Sequence, residues 1–149
     1  MKTKKIALLF TLFLIISSLS IINSCRERDD TVSCFPDSVI SVQLNLSLPQ
    51  YYTLQNVGGW LYIDEQQSGT RGLIVYRRSN TVFMIYDRNA PHLCPDNDTT
   101  LEVKDGTSIN CPKDGAQWFL SSGEPTKIAK TAPKTYGYSF TGNILSIYN

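Results

Sequence analysis

Alternating apolar and polar positions predict short β-strands along most of the chain after residue 40. Between Ser41 and Leu48, apolar residues occupy every second position, which is the period of a strand with one buried face. Further runs rich in aromatic and β-branched residues follow: WLYI (60–63), GLIVY (72–76), TVFMIY (81–86), LEV (101–103), QWFL (117–120), YGYSF (136–140) and ILSIY (144–148). No helical period extends over ten residues here, and PQYYTLQN (49–56) favours at most a short helical turn.

Turn signals separate these runs at short intervals. Gly58-Gly59, Ser79-Asn80, Asp105-Gly106 and Ser122-Gly123 each stand between two runs, and 141–143 (TGN) predicts a three-residue hairpin loop. Short strands with such frequent turns are typical of an all-β fold, here a small antiparallel β-sandwich or barrel. The 149 residues suffice for one domain.

The first 24 residues have the pattern of a secretory signal rather than of a domain. Met1–Lys5 carries three lysines, and residues 6–22 are almost wholly apolar. This apolar run is slightly short for a membrane-spanning helix, and small polar residues follow it directly. An uncleaved membrane anchor is the alternative interpretation.

The end of this segment, 22–25 (INSC), resembles a bacterial lipobox. By that resemblance Cys25 is the first mature residue and carries lipid, which anchors the protein to a bilayer of the cell envelope, most simply the outer membrane. Residues 25–38 are then a tether and 39–149 the folded domain. The RERDD block after Cys25 also resembles the acidic segment of surface-exported lipoproteins of Bacteroidetes, so either face of the membrane remains open.

Charge argues against a nucleic-acid partner. The chain has 14 basic and 13 acidic residues. Cleavage before Cys25 removes three lysines, which leaves eleven basic against thirteen acidic residues and a net charge of −2. No basic stripe remains to follow a phosphate backbone. A protein or small ligand in the envelope is the expected partner, and its identity is open.

The candidate chemistry lies in two proline-containing loops, Asp87–Asp96 and Cys111–Gly115. The first loop contains the single histidine of the chain, His92, two residues before Cys94. Besides the lipid-bearing cysteine, Cys34, Cys94 and Cys111 remain, so one pair and one unpaired cysteine are expected in an exported protein.

These loops and their flanks resemble the Rieske iron–sulfur domain. Residues 86–88 (YDR) lead into the first loop, Cys111-Pro112 opens the second, and 122–125 (SGEP) matches the turn that follows. The resemblance covers roughly residues 39–148. It is closest to Rieske-like lipoproteins of Bacteroidetes, which share GGWLYI- and RGLIVY-type segments. It implies an antiparallel β fold in which two cysteines bind one iron of a [2Fe–2S] cluster and two histidines bind the other.

The resemblance assigns four ligand positions, and two of them hold other residues here. His92 and Cys111 stand at a histidine and a cysteine position, whereas Ala90 stands at the other cysteine and Asp114 at the other histidine. Alanine offers no donor atom, and a carboxylate is a hard ligand that suits sulfide-bridged iron poorly. The sequence therefore predicts that an ordinary cluster is lost.

Cys94 leaves two alternatives for the remaining donors. With His92, Cys111 and Asp114 it would form a Cys₂-His-Asp set for zinc, a single iron or an altered cluster. In an exported protein, however, a Cys94–Cys111 disulfide that ties the two loops is favoured, and it leaves Cys34 unpaired. On that interpretation the protein holds no cofactor.

Three functions follow from these alternatives. The favoured one is a cell-envelope lipoprotein with a cluster-free, Rieske-like domain that acts as a structural or binding module and not as an enzyme. The second is a [2Fe–2S] electron-transfer protein with altered ligands. The third is a mononuclear metal-binding protein.

Overall fold

The computed structural model describes residues 30–149, so the predicted signal (1–24) and Cys25 lie outside the described residues. Every strand pair in this part of the chain is antiparallel. The strands are β1 (Ser41–Asn45), β2 (Trp60–Ile63), β3 (Leu73–Arg77), β4 (Phe83–Asp87), β5 (Glu102–Lys104), β6 (Ser108–Asn110), β7 (Gln117–Phe119), β8 (Pro125–Lys127), β9 (Gly137–Thr141) and β10 (Ile144–Tyr148), with a 3₁₀ helix at Pro49–Gln55. The prediction of an all-β antiparallel fold is confirmed.

The strands form three small sheets, and one of them carries both candidate loops. Their orders are β1-β10-β9, β2-β3-β4 and β5-β6-β7-β8. The last of these is a compact four-stranded unit that lies between β4 and β9 in the sequence. Both candidate loops belong to it, because one leads into β5 and the other joins β6 to β7.

The β2-β3-β4 sheet is covered on both faces, and β3 shows this directly. Leu73 and Val75 belong to one hydrophobic core, with residues of β1 and β10, whereas Ile74 between them belongs to a second core. Successive side chains of a strand point to opposite faces. The second core joins this sheet to the four-stranded unit and contains Leu101, Ile109, Cys111 and Trp118. The candidate loops therefore lie against this second hydrophobic core.

Most of the predicted strands are confirmed, with two omissions and one correction. The runs 60–63 and 144–148 coincide with β2 and β10, while β6 and β8 had no predicted counterpart. Thr141 pairs with Ile144, so the last hairpin has a two-residue loop and not the predicted three-residue one. Gly142 opens this loop with φ of 60°, a conformation that glycine adopts without strain. Among residues 30–149, no helix is long and apolar enough to cross a membrane.

A buried hydrogen-bond network fixes the end of β4, from which the first loop departs. Asp87 is 2% exposed. Its Oδ1 accepts the backbone N–H and the side-chain amide of Asn89 at 2.7 and 2.8 Å, and its Oδ2 accepts the Tyr136 hydroxyl at 2.6 Å. A buried carboxylate needs such donors, because removing it from water without them is costly.

Replacing Tyr136 with phenylalanine should expose the cost of leaving this carboxylate with fewer donors. We expect the free energy of unfolding to fall by about 2 kcal/mol, as for other hydrogen bonds to charged groups. Chemical denaturation measures the change. Tyr52→Phe is the matched control, since Tyr52 is 64% exposed. Equal stability of the two variants would contradict a stabilising role for the network.

Candidate metal centre

The first loop is closed by backbone contacts at its base. Asn89 and Thr100 form an isolated antiparallel bridge, and the N–H of Leu101 donates to the carbonyl of Arg88 at 2.7 Å. Residues 90–99 therefore leave and rejoin the sheet at one place. Because the two ends of the loop are held together, local packing inside the loop determines where His92 lies.

The second loop, Cys111–Gly115, lies in the tight turn that joins β6 to β7. The N–H of Cys111 donates to the carbonyl of Ala116, and the N–H of Gly115 donates back to the carbonyl of Cys111, both at 2.9 Å. Gly115 has φ of 74°, which favours glycine at this position. The Asp114 side chain accepts the Ala116 N–H at 3.0 Å. This local bond orients the carboxylate toward the first loop.

Three potential ligands converge between the loops. Nε2 of His92 lies 2.7 Å from Oδ2 of Asp114. One ligating atom each from His92, Cys111 and Asp114 lies within 4.8 Å of the others. Cys111 is fully buried, while the side chains of His92 and Asp114 are 21% and 28% exposed. The sulfur thus lies on the buried side of the group, and the nitrogen and oxygen lie on the side that is partly exposed to solvent.

The environment keeps the thiol neutral and the carboxylate charged. Burial raises the pKa of the Cys111 thiol; the Lys113 N–H opposes this shift and the Asp114 charge adds to it. Burial also acts to raise the pKa of Asp114, but hydrogen bonds from the Ala116 N–H and His92 outweigh it, so this pKa lies below its usual value. These surroundings therefore favour the protonated form of the Cys111 thiol when no metal is bound.

The buried ring of Trp118 packs against the ring of His92. Its ring centroid lies 5.6 Å from that of His92 at a tilt of 58°, and its indole N–H donates to the carbonyl of Thr131 at 2.7 Å. Trp118 is fully buried. Nδ1 of His92 is buried and has no hydrogen-bond partner among the described residues. Among the described residues, the ring is thus positioned by packing and by Asp114.

The cysteines pair differently from the prediction. Cys94 forms a disulfide with Cys34, with 5.4 Å between their Cα atoms, and Cys111 is the free cysteine of the described chain. The predicted Cys94–Cys111 bridge, with Cys34 left over, is therefore wrong. The physical reason is that the N-terminal segment returns along the first loop, where the N–H of Val32 donates to the carbonyl of Pro91 at 2.9 Å. The later part of the predicted tether is thus bonded to the domain, while the boundary at residue 39 stays a prediction.

A surface ion pair connects the loops where the disulfide was expected. Nζ of Lys113 lies 2.8 Å from Oδ2 of Asp96. The hydrogen bond from Lys113, followed by that from the Asn97 N–H, lowers the pKa of Asp96. Both side chains are about half exposed, so the pair contributes little stability. Sequence analysis missed this pair, and its one available signal was opposite charge in the two loops.

The residues present do not fit an ordinary [2Fe–2S] cluster. Ala90 is 2% exposed and packs in the second core, so it brings no donor to the site. Cys94, the nearest substitute, already bonds Cys34. A Rieske cluster needs four ligands, two for each iron. His92, Cys111 and Asp114 make a set of three, which suits one metal ion better than two.

Comparisons with known proteins leave the family open. No protein-family model and no curated protein matches the sequence. Among solved structures, a ferredoxin from Sphingomonas yanoikuyae B1 is similar to this chain, with 18% identity and a TM-score of 0.42. The match covers 63% of this chain and 88% of the ferredoxin. At this identity and score, the likeness assigns neither a family nor a ligand.

Proposed function

We propose that the protein is a lipid-anchored module of the cell envelope whose Rieske-like domain holds no [2Fe–2S] cluster and serves a structural or binding role. The observation that carries this proposal is the donor count at the two loops. His92 and Cys111 are the only resemblance-assigned positions that keep their cluster ligands. Ala90 is buried without a donor atom, and the disulfide to Cys34 occupies Cys94.

Other contacts attach these two loops and support a fold without a cluster. The Cys34–Cys94 disulfide holds the first loop to the N-terminal segment, and His92 contacts Asp114 in the second loop. Trp118 packs beneath both. A fold can persist after its cofactor is lost when such contacts replace the metal bonds, and fold alone does not define function.

Location in the envelope is supported by the lipobox-like 22–25 segment and by the disulfide. Disulfides persist in exported proteins and are rare in the cytosol. The Cys34–Cys94 bond is therefore consistent with export. We expect mass spectrometry of the native protein to find an N-terminus that begins at Cys25 and carries lipid. A retained 1–24 segment, or an unmodified Cys25, would contradict the anchor.

Restoring the missing donors tests whether the loops descend from a cluster site. We expect the double variant Ala90→Cys, Asp114→His to bind iron and sulfide and to show the visible absorption of a [2Fe–2S] centre. The matched control is Lys113→His in place of Asp114→His, because it puts the same side chain one residue away. If a folded double variant, exposed to iron and sulfide, stays colourless, the Rieske-like interpretation of these loops is wrong.

A second candidate function is the binding of a single metal ion. The convergence of His92, Cys111 and Asp114 within 4.8 Å favours it, since nitrogen, thiolate and carboxylate together suit zinc or a single iron. Three protein ligands leave one coordination position for water or a bound molecule. Nothing in this candidate requires a cluster, so it is compatible with the first.

Titration with Zn²⁺ tests this second candidate. We expect His92→Ala to weaken zinc binding by more than about 10- to 100-fold, which is the loss that follows when only an outer-shell partner of a ligand is removed. Asp98→Asn is the control, because Asp98 is exposed in the same loop outside the three-donor group. Calorimetry or competition with a chromophoric chelator measures the affinities. Equal binding by the two variants would place zinc elsewhere on the protein.

A further inference from the structure

The two cysteines of the disulfide are exposed, whereas the thiol of Cys111 is buried. We infer that the Cys34–Cys94 disulfide withholds a fourth donor from the metal centre, and that its reduction completes a Cys₂-His-Asp site for a thiophilic divalent cation such as Zn²⁺. This inference rests on the second candidate function above. It adds a ligand, Cys94, and a condition under which that ligand becomes available.

The path of the first loop holds the backbone of Cys94 beside the second loop. His92, two residues before it, contacts Asp114 at 2.7 Å, and Asp96, two residues after it, contacts Lys113 at 2.8 Å. The chain around Cys94 is therefore held along the second loop on both sides. Residues two apart have Cα atoms within about 7 Å of each other, so Cys94 lies near His92 along the chain. We infer that its freed sulfur can turn toward the same ion.

The disulfide is accessible to a reductant, and the other thiol is protected. Exposed disulfides are the labile ones, because a thiolate must reach a sulfur atom in order to attack it. A dithiol reductant cleaves the Cys34–Cys94 bond in two steps through a mixed disulfide. The dithiol supplies two electrons and two protons, becomes a disulfide itself, and leaves Cys34 and Cys94 as thiols.

Metal binding then consumes one of the released thiols. Cys94 and Cys111 each lose a proton as the two metal–sulfur bonds form, while His92 and Asp114 supply nitrogen and oxygen. Four ligands from nitrogen, sulfur and oxygen are the usual complement of a closed zinc site. The oxidised protein offers three donors and an open position, whereas the reduced protein offers four. Reduction should therefore raise zinc affinity.

Two serine variants separate the ligand from the loss of the bridge. Cys34→Ser and Cys94→Ser break the same disulfide and leave the same number of thiols, but only Cys34→Ser leaves Cys94 free. Under a phosphine reductant, which prevents re-oxidation with Cys111, we expect Cys34→Ser to bind Zn²⁺ at least tenfold more tightly than Cys94→Ser. Reduced wild type should match Cys34→Ser. Cobalt substitution should show a stronger sulfur-to-metal absorption in Cys34→Ser than in Cys94→Ser.

Equal zinc affinity and equal cobalt spectra for the two variants would overturn the inference. If oxidised wild type binds no zinc while Cys34→Ser still binds more tightly than Cys94→Ser, the three-donor candidate fails and the gated four-donor site stands. If Cys34→Ser does not fold, reduced against oxidised wild type decides. In that case, the inference is supported if reduction raises the zinc affinity of wild type but not that of Cys94→Ser. It is overturned if reduction does not raise the zinc affinity of wild type.

Discussion

Replacing both Cys34 and Cys94 with serine is expected to lower the free energy of unfolding by about 4 kcal/mol. The bond joins residues 60 positions apart. In the chain-entropy model, closing a loop of that size removes about 4 kcal/mol of conformational freedom from the unfolded chain. For a domain near 120 residues, that loss corresponds to a fall in melting temperature of more than about 10 °C.

Denaturant unfolding of oxidised wild type and of the double variant measures this effect. Reduced wild type is the control for the substitutions themselves, and it should unfold together with the variant. Peptide mapping without reductant should recover Cys34 joined to Cys94. Recovery of Cys94 joined to Cys111, with no change in stability on Cys34→Ser, would contradict the observed pairing.

Replacing Trp118 with alanine should have an effect of similar size at the base of the candidate metal centre. Trp118 is fully buried, donates to the Thr131 carbonyl and supports the His92 ring. Truncating a buried tryptophan costs about 3–5 kcal/mol through lost burial and the cavity that remains. Thermal and denaturant unfolding both report this loss.

The adjacent Phe119 provides the control for Trp118. Phe119 is 52% exposed on the opposite side of the same strand. Phe119→Ala should therefore change stability by less than about 1 kcal/mol, as surface substitutions usually do. In addition, Trp118→Ala should weaken zinc binding, whereas Phe119→Ala should not. Equal destabilisation by the two variants would contradict the assignment of Trp118 to the core beneath the loops.

The fold was largely predictable because most strands bury one or two faces and show it in their sequences. β2 and β10 coincide with the predicted apolar runs. β6 (SIN) has one buried apolar residue between two polar ones, which is too short a pattern to stand out, and β8 (PTK) is wholly exposed. Such short strands form because a neighbouring strand offers backbone groups for hydrogen bonds. This is a tertiary effect, and the local sequence pattern does not reveal it.

The candidate site was predictable only in part. His92 and Asp114 are 22 positions apart, and their proximity followed from resemblance to a family rather than from spacing. The partner of Cys94 was missed because Cys34 lies in a segment without apolar periodicity, which was assigned to the tether. An odd number of cysteines signals that one is unpaired, but the pairing depends on where the N-terminal segment runs.

The visible absorption spectrum of the native protein, purified without oxygen and combined with iron and sulfide analysis, tests the central claim most directly. Because Ala90 supplies no ligand and Cys94 is bonded to Cys34, we expect a colourless protein with far less than one [2Fe–2S] cluster per chain. A brown protein with two irons and two sulfides per chain, lost on His92→Ala, would contradict the account and establish an electron-transfer centre with altered ligands.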